Sequence, residues 1–144
     1  RLREKMARSN RTLNAYINDS IGFRMSAEVV LAYSEWSFGT ADALGFRENF
    51  LRIHDLKTGV TRASMKQLYV YAALFCLEYH FKPSEIGFEF RIYQNDTFYA
   101  ETTSDNPAMV AWARVDRAEI IRIMDKIVFF DNMIREMRAE AFDE

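Results

Sequence analysis

The sequence predicts an α/β domain, a sheet flanked by helices, on three observations. Apolar residues recur at helical spacing at the start, in the middle and along the end of the chain. The intervals between them hold short strand-like runs separated by turn residues. The 144 residues are enough for one domain with its own core, read here as residues 1–144. The order helix, three strands, helix, two strands, helix then belongs to the α/β class.

Each element has its own signal. Residues 1–19 place Leu2, Met6, Leu13, Tyr16 and Ile17 roughly on one helical face, and Gly22 punctuates the end. Residues 27–34, 38–44 and 48–57 read as strands, with a turn over Arg47–Asn49, and their short spacing favours antiparallel hairpins. Thr58-Gly59 breaks the pattern. A helix follows from about Met65 to Tyr79, with Ser64 and Gln67 at the spacing of a capping box and an apolar stripe of Leu68, Tyr71, Ala72, Phe75 and Tyr79. Residues 86–93 and 97–102 read as strands joined at Asn95-Asp96. Asn106-Pro107 marks a helix start, and Asp116 with Glu119 marks another. From Ile120 the stripe Ile123, Met124, Ile127, Phe130, Ile134, Met137 runs to the end.

The totals exclude several classes. With 49% hydrophobic and 28% charged residues, the composition is that of a folded chain, not a disordered one. A net charge of −2 gives no global basic field, so a nucleic-acid partner needs a local basic patch. The single cysteine, Cys76, excludes an internal disulfide and any four-cysteine metal or iron–sulfur site, and fits a reducing compartment. No apolar run has the length of a membrane span, and no signal peptide is seen. Arg1, not Met, opens the chain inside a predicted helix, so further residues upstream are expected.

The chemistry concentrates in two stretches, Gly39-Thr40-Ala41-Asp42 and His54-Asp55-Leu56-Lys57-Thr58-Gly59. Asp55 and Lys57 are two apart on a strand and leave the same face. Antiparallel pairing brings Asp42 of the preceding strand beside Asp55. Two carboxylates are hard oxygen ligands suited to Mg²⁺ or Mn²⁺. A metal there activates water and binds a phosphate oxygen, while Lys57 orients the water or offsets charge growing on the phosphate. The alternative is solvated surface charge on an edge strand.

With Gln67-Leu-Tyr-Val-Tyr71 added, the set resembles the RecB-type branch of the PD-(D/E)xK nuclease superfamily. There a Gly-x-x-Asp strand precedes an Asp-x-Lys-Thr-Gly strand and a helix bearing Gln-x-x-x-Tyr, an order shared by phage exonucleases and CRISPR adaptation nucleases. The resemblance covers roughly residues 26–80. It implies a restriction-endonuclease-like core, a central mixed sheet flanked by helices. It implies Asp42 and Asp55 as ligands of Mg²⁺ or Mn²⁺, Lys57 as catalytic, and Gln67 and Tyr71 flanking the site. The alternatives are that Gln67 completes the helix cap and Tyr71 belongs to the apolar stripe. Relatives often carry an upstream helical His or Glu in the metal shell; here Glu4 and Asp19 are the acids of residues 1–23, and neither matches clearly. Glu28 resembles a glutamate often found at that point and is offered as a third ligand, with a structural role as the alternative.

Other residues carry weaker signals. His54 faces away from Asp55 and reads as packed; His80 ends a helix, where the dipole favours a cation; Cys76 reads as a small core residue. Arg62 and Lys66 flank the start of the Gln67 helix, placed to meet DNA phosphates beside its amides, or simply solvated. Trp36 and Phe38 read either as packing or as a stacking surface for a splayed base. The last helix carries Phe129, Phe130, Met133 and Met137, a surface for a homo-oligomer or protein partner, or a cover for the sheet. The expectation is a metal-dependent DNA nuclease, an exonuclease of DNA recombination or processing, in the cytoplasm of a bacterium or phage-infected host cell. The alternatives are a catalytically inactive module of this fold that binds DNA or a protein, and a restriction-like endonuclease.

Overall fold

The computed structural model describes the backbone of residues 2–109 and 111–143 and the side chains of residues 11–109 and 111–142. Its elements are α1 (Leu2–Gly22), β1 (Ser26–Ala32), β2 (Phe38–Arg47), β3 (Phe50–Leu56), α2 (Lys66–Tyr79), β4 (Gly87–Gln94), β5 (Thr97–Thr102), β6 (Ala113–Arg114) and α3 (Arg117–Asp143). The strands form one mixed six-stranded sheet in sequence order. β1–β2, β2–β3 and β4–β5 pair antiparallel; β3–β4 and β5–β6 pair parallel.

Local chemistry accounts for the joints. Glu48 and Asn49 both take positive φ, 51° and 58°, as a two-residue turn between antiparallel strands requires. Asn95 and Asp96 do the same between β4 and β5. A parallel pair needs a long crossover, and α2 supplies it between β3 and β4. β3 and β4 alternate: Leu51, Ile53, Phe88, Phe90 and Ile92 join the core beneath α2, while Arg52, His54, Glu89, Arg91 and Tyr93 occupy the other face.

That second face is polar, and α1 matches it. Expected to bury Leu13 and Ile17, α1 leaves both 41% exposed. It turns Thr12, Tyr16 and Asp19 to the sheet instead. Thr12 Oγ1 accepts the Asp96 N–H at 2.9 Å, and Asp19 accepts from the Tyr93 hydroxyl and approaches Arg91. A helix over buried charge is selected for hydrogen-bonding groups, not for an apolar stripe. The side chains of Leu2, Glu4 and Met6 lie outside the described residues.

Three further expectations are corrected. Asn106-Pro107 begins no helix; it makes a turn in which Asn106 Oδ1 accepts the Ala108 N–H at 3.0 Å. Beyond it runs β6, too short to show alternation, with Arg114 held by the carbonyls of Thr103 and Ser104. Neither capping box closes. Asp116 Oδ1 accepts the Ala118 N–H at 3.0 Å, but Glu119 pairs with Arg122. Ser64 Oγ accepts the Lys66 N–H at 3.1 Å, but Met65 is the N-cap of α2 and Gln67 points elsewhere. α3 buries Ile120 and Ile123, yet Phe129, Met137 and Phe142 are exposed. Its 27 residues span about 40 Å against about 21 Å for the 14 of α2; its second half still buries Asp131 and reaches the β1–β2 loop through Arg138 and Glu35. Among the described residues no helix is long and apolar enough to cross a membrane.

Candidate active site

Pairing of β2 with β3 runs from Arg47↔Phe50 to Ala43↔His54. One residue further, the carboxylate of Asp42 replaces the ladder: its Oδ2 accepts the Leu56 N–H at 2.9 Å. The strands part there. β3 continues along β4 instead, with the Lys57 N–H bonded to Tyr93 O at 3.0 Å.

Strand alternation also breaks at this point. A Cβ on Gly39 would lie 2.8 Å from Tyr71 Cε1, so Gly39 faces α2. Phe46, an odd number of residues away, faces α2 as well, its ring 5.1 Å from that of Phe75. The side-chain parity of β2 therefore shifts by one between them. Glu28 lies opposite Asp42 in the β1 register, between the pairs Ala27↔Ala43 and Val29↔Ala41, and takes φ 52°. A positive φ outside glycine costs about 1–2 kcal/mol, and such irregularities beside sites re-aim a side chain. Asp42 lies within the stretch where the parity shifts.

Asp55 is 4% exposed. Burial first, and then the neighbouring Asp42 carboxylate, push its pKa up to about 6 against the pull of Lys57. Its Oδ2 is buried without a well-directed hydrogen bond, and its close contact is Lys57 Nζ at 3.0 Å. Asp55 in turn raises the Lys57 pKa, so the side chain stays an ammonium. Lys57 Nζ also donates to Gln67 Oε1 at 3.3 Å, and Gln67 Nε2 donates to the Tyr71 hydroxyl at 2.6 Å. Burial and then the two aspartates raise the Tyr71 pKa, keeping that hydroxyl protonated. Asp42, Asp55, Lys57, Gln67 and Tyr71 thus meet, carried by β2, β3 and α2.

The remaining expected residues divide. Glu28 is exposed, and among the described residues no third His, Cys, Asp or Glu joins the two aspartates. Lys66 is exposed and lines a cavity of about 610 Å³ with Phe38, Lys57, Gln67 and Tyr71. Arg62 leans away, its guanidinium carbon 4.2 Å over the Tyr99 ring. His54 is fully buried on the opposite face, its Nε2 3.8 Å from Glu89, and burial lowers its pKa. Burial works to raise the Glu89 pKa, but His54, Arg91 and Arg52 hold it down at about 2. That ionic group binds β3 to β4 behind the site. Cys76 is buried in α2, and burial pushes its thiol up to about 12, which leaves it unreactive.

Two contributors escaped the sequence reading. Tyr16 of α1 lies close enough to the pair that Asp42, Asp55 and Glu28 help burial raise its pKa. Its signal was hidden in an apolar-looking helix face. Gln94, 2% exposed, donates to the carbonyls of Gly59 and Thr61 and accepts the Ala63 N–H. It clamps the loop between Lys57 and Gln67, and nothing in local spacing announces that.

No protein-family model matches the chain, and no curated protein matches it. Among solved structures, the crystal structure of SSO0001 is similar at 12% identity and a TM-score of 0.39, over 83% of this chain and 56% of that one. The chain therefore spans little more than half the length of that protein.

Proposed function

We propose that the chain is a metal-dependent DNA nuclease of the PD-(D/E)xK type, an exonuclease acting in DNA recombination or processing. The observation that carries the reading is the meeting of Asp42 and Asp55 where β2 leaves β3, with Lys57 Nζ 3.0 Å from Asp55. The resemblance of residues 26–80 supplies the reaction and the preference for DNA.

The donor set fits Mg²⁺ or Mn²⁺. Both aspartates offer hard oxygens, and Asp55 Oδ2 has lone pairs that no directed N–H fills. Mg²⁺ keeps several waters and needs only one or two carboxylates besides substrate phosphate, so a third protein ligand is not required. Bound there, the ion would polarise the phosphodiester and activate a water.

The chain's own groups do the rest. Lys57 holds its proton at Nζ and presents positive charge where the phosphate gains negative charge. Gln67 fixes that ammonium through Oε1 and is itself fixed by Tyr71. Gly39 leaves room for the Tyr71 ring. Asp55→Ala and Lys57→Ala are each expected to abolish metal-dependent DNA cleavage in a folded chain. Unchanged cleavage by either purified variant removes that residue from the mechanism.

A further inference from the structure

We infer that Phe38 is a stacking platform for an unpaired nucleobase, so that the substrate is a single-stranded or frayed DNA end. The inference rests on the nuclease reading above and names the form of its substrate.

Two aromatic residues precede the Gly39 strand, and the structure separates their roles. Trp36 is occupied: the Arg138 guanidinium lies 5.4 Å over its ring, held there by the ion pair of Arg138 with Glu35. Phe38 is 63% exposed, and among the described residues it stacks on no other ring and no cation covers it. It lines the cavity of about 610 Å³ that also contains Lys57, Lys66, Gln67 and Tyr71. Lys66 is exposed there, and among the described residues no carboxylate pairs with it. An exposed aromatic face and the exposed Lys66 ammonium, in the same cavity as Lys57, match the two surfaces of a single strand, bases and phosphates. In a paired duplex the base faces are stacked and closed to such a platform.

Phe38 begins β2, and Asp42, opposite Glu28 in the register with β1, lies four residues on, about 13 Å along the strand. The platform therefore grips the strand a few nucleotides away from the aspartates, not at the bond to be cut. Its contribution falls on binding more than on the chemical step.

The test uses a single-stranded oligonucleotide carrying 2-aminopurine, with Ca²⁺ in place of Mg²⁺ to hold it uncleaved. Binding is expected to change 2-aminopurine emission as the base stacks. Phe38→Ala is expected to lose that change and bind about 5- to 150-fold more weakly, the range for one base–aromatic stack. Phe38→Trp is expected to restore both, and affinity for blunt duplex is expected to move less than affinity for the single strand. Emission change and affinity retained in Phe38→Ala overturn the inference, as does an equal loss on duplex that Trp does not restore. Phe38-dependent stacking in a chain that degrades no DNA leaves the platform standing and removes the nuclease reading. Metal-dependent degradation with no effect of Phe38 on binding removes the platform alone.

Discussion

Replacing Asp55 with Asn is expected to make the metal-free chain more stable at neutral pH while ending the nuclease activity proposed for it. Burial and the adjacent Asp42 raise the Asp55 pKa from 3.8 to about 6. An acid whose folded pKa lies above its unfolded pKa contributes stability that is complete below the unfolded value and is lost as pH rises through the folded one. The window is therefore about pH 4 to 6. Above it, roughly two units at 1.36 kcal/mol each make the ionised Asp55 cost the fold on the order of 3 kcal/mol. Asp55 is 4% exposed, so water screens little of this. The Lys57 side chain is 37% exposed and stays hydrated without its partner. The amide of Asn keeps the shape and removes the charge, so a gain of about 1–3 kcal/mol is expected at pH 7, or roughly 3–9 °C in Tm for a chain of this size. The assay is thermal unfolding followed by far-ultraviolet circular dichroism, in EDTA, at steps from pH 4 to pH 8. The difference between variant and wild type should open between about pH 4 and pH 6 and stay level above it. A variant equally or less stable than wild type across the whole range refutes the reasoning, because the two carboxylates would then not be in conflict.

Three other expectations follow from the same geometry. Mg²⁺ or Mn²⁺ should raise the Tm of the wild type, by about 1.4 kcal/mol of stabilisation at ten times the dissociation constant, and should leave Asp42→Asn unmoved in the same scan. Gln94→Ala strips three hydrogen-bonding partners from the Gly59–Ala63 loop and should cost about 1–3 kcal/mol in urea unfolding, with faster amide exchange at Ala63. Gly39→Ala sets a Cβ 2.8 Å from Tyr71 Cε1 and should cost about 1–3 kcal/mol while slowing cleavage, because the Tyr71–Gln67–Lys57 chain shifts; unaltered stability and rate would show that the ring yields freely.

What was legible in the sequence is what local rules write. Asn95-Asp96 announces a hairpin because both residues tolerate the positive φ they take, the Arg47–Asn49 turn follows from the short spacing of its strands, and the period of two in Asp55 and Lys57 puts both on one face. The pairing of Asp42 with Asp55 followed from that hairpin, and Gln67 with Tyr71 from a four-residue helical spacing. Illegible were features that only tertiary packing decides. The parity shift of β2 around Asp42 lies opposite a positive φ at Glu28, a residue with no special tolerance for it. α1 buries Thr12 instead of Leu13 because the sheet beneath carries Glu89 and Arg91, contributed from far along the chain. Gln94 serves a loop more than thirty residues away. The apolar stripe of α3 was visible, but which of its residues are buried is decided by tertiary packing: Ile120 and Ile123 are buried, Phe129 and Met137 are exposed.

The most direct measurement is cleavage of end-labelled single-stranded and duplex linear DNA with Mg²⁺, with Mn²⁺ and with EDTA, wild type beside Lys57→Ala. Metal-dependent degradation in a ladder from the labelled end, absent in EDTA and in the folded Lys57→Ala chain, is the expected result. Intact DNA with both metals, or degradation that Lys57→Ala retains, would contradict the account.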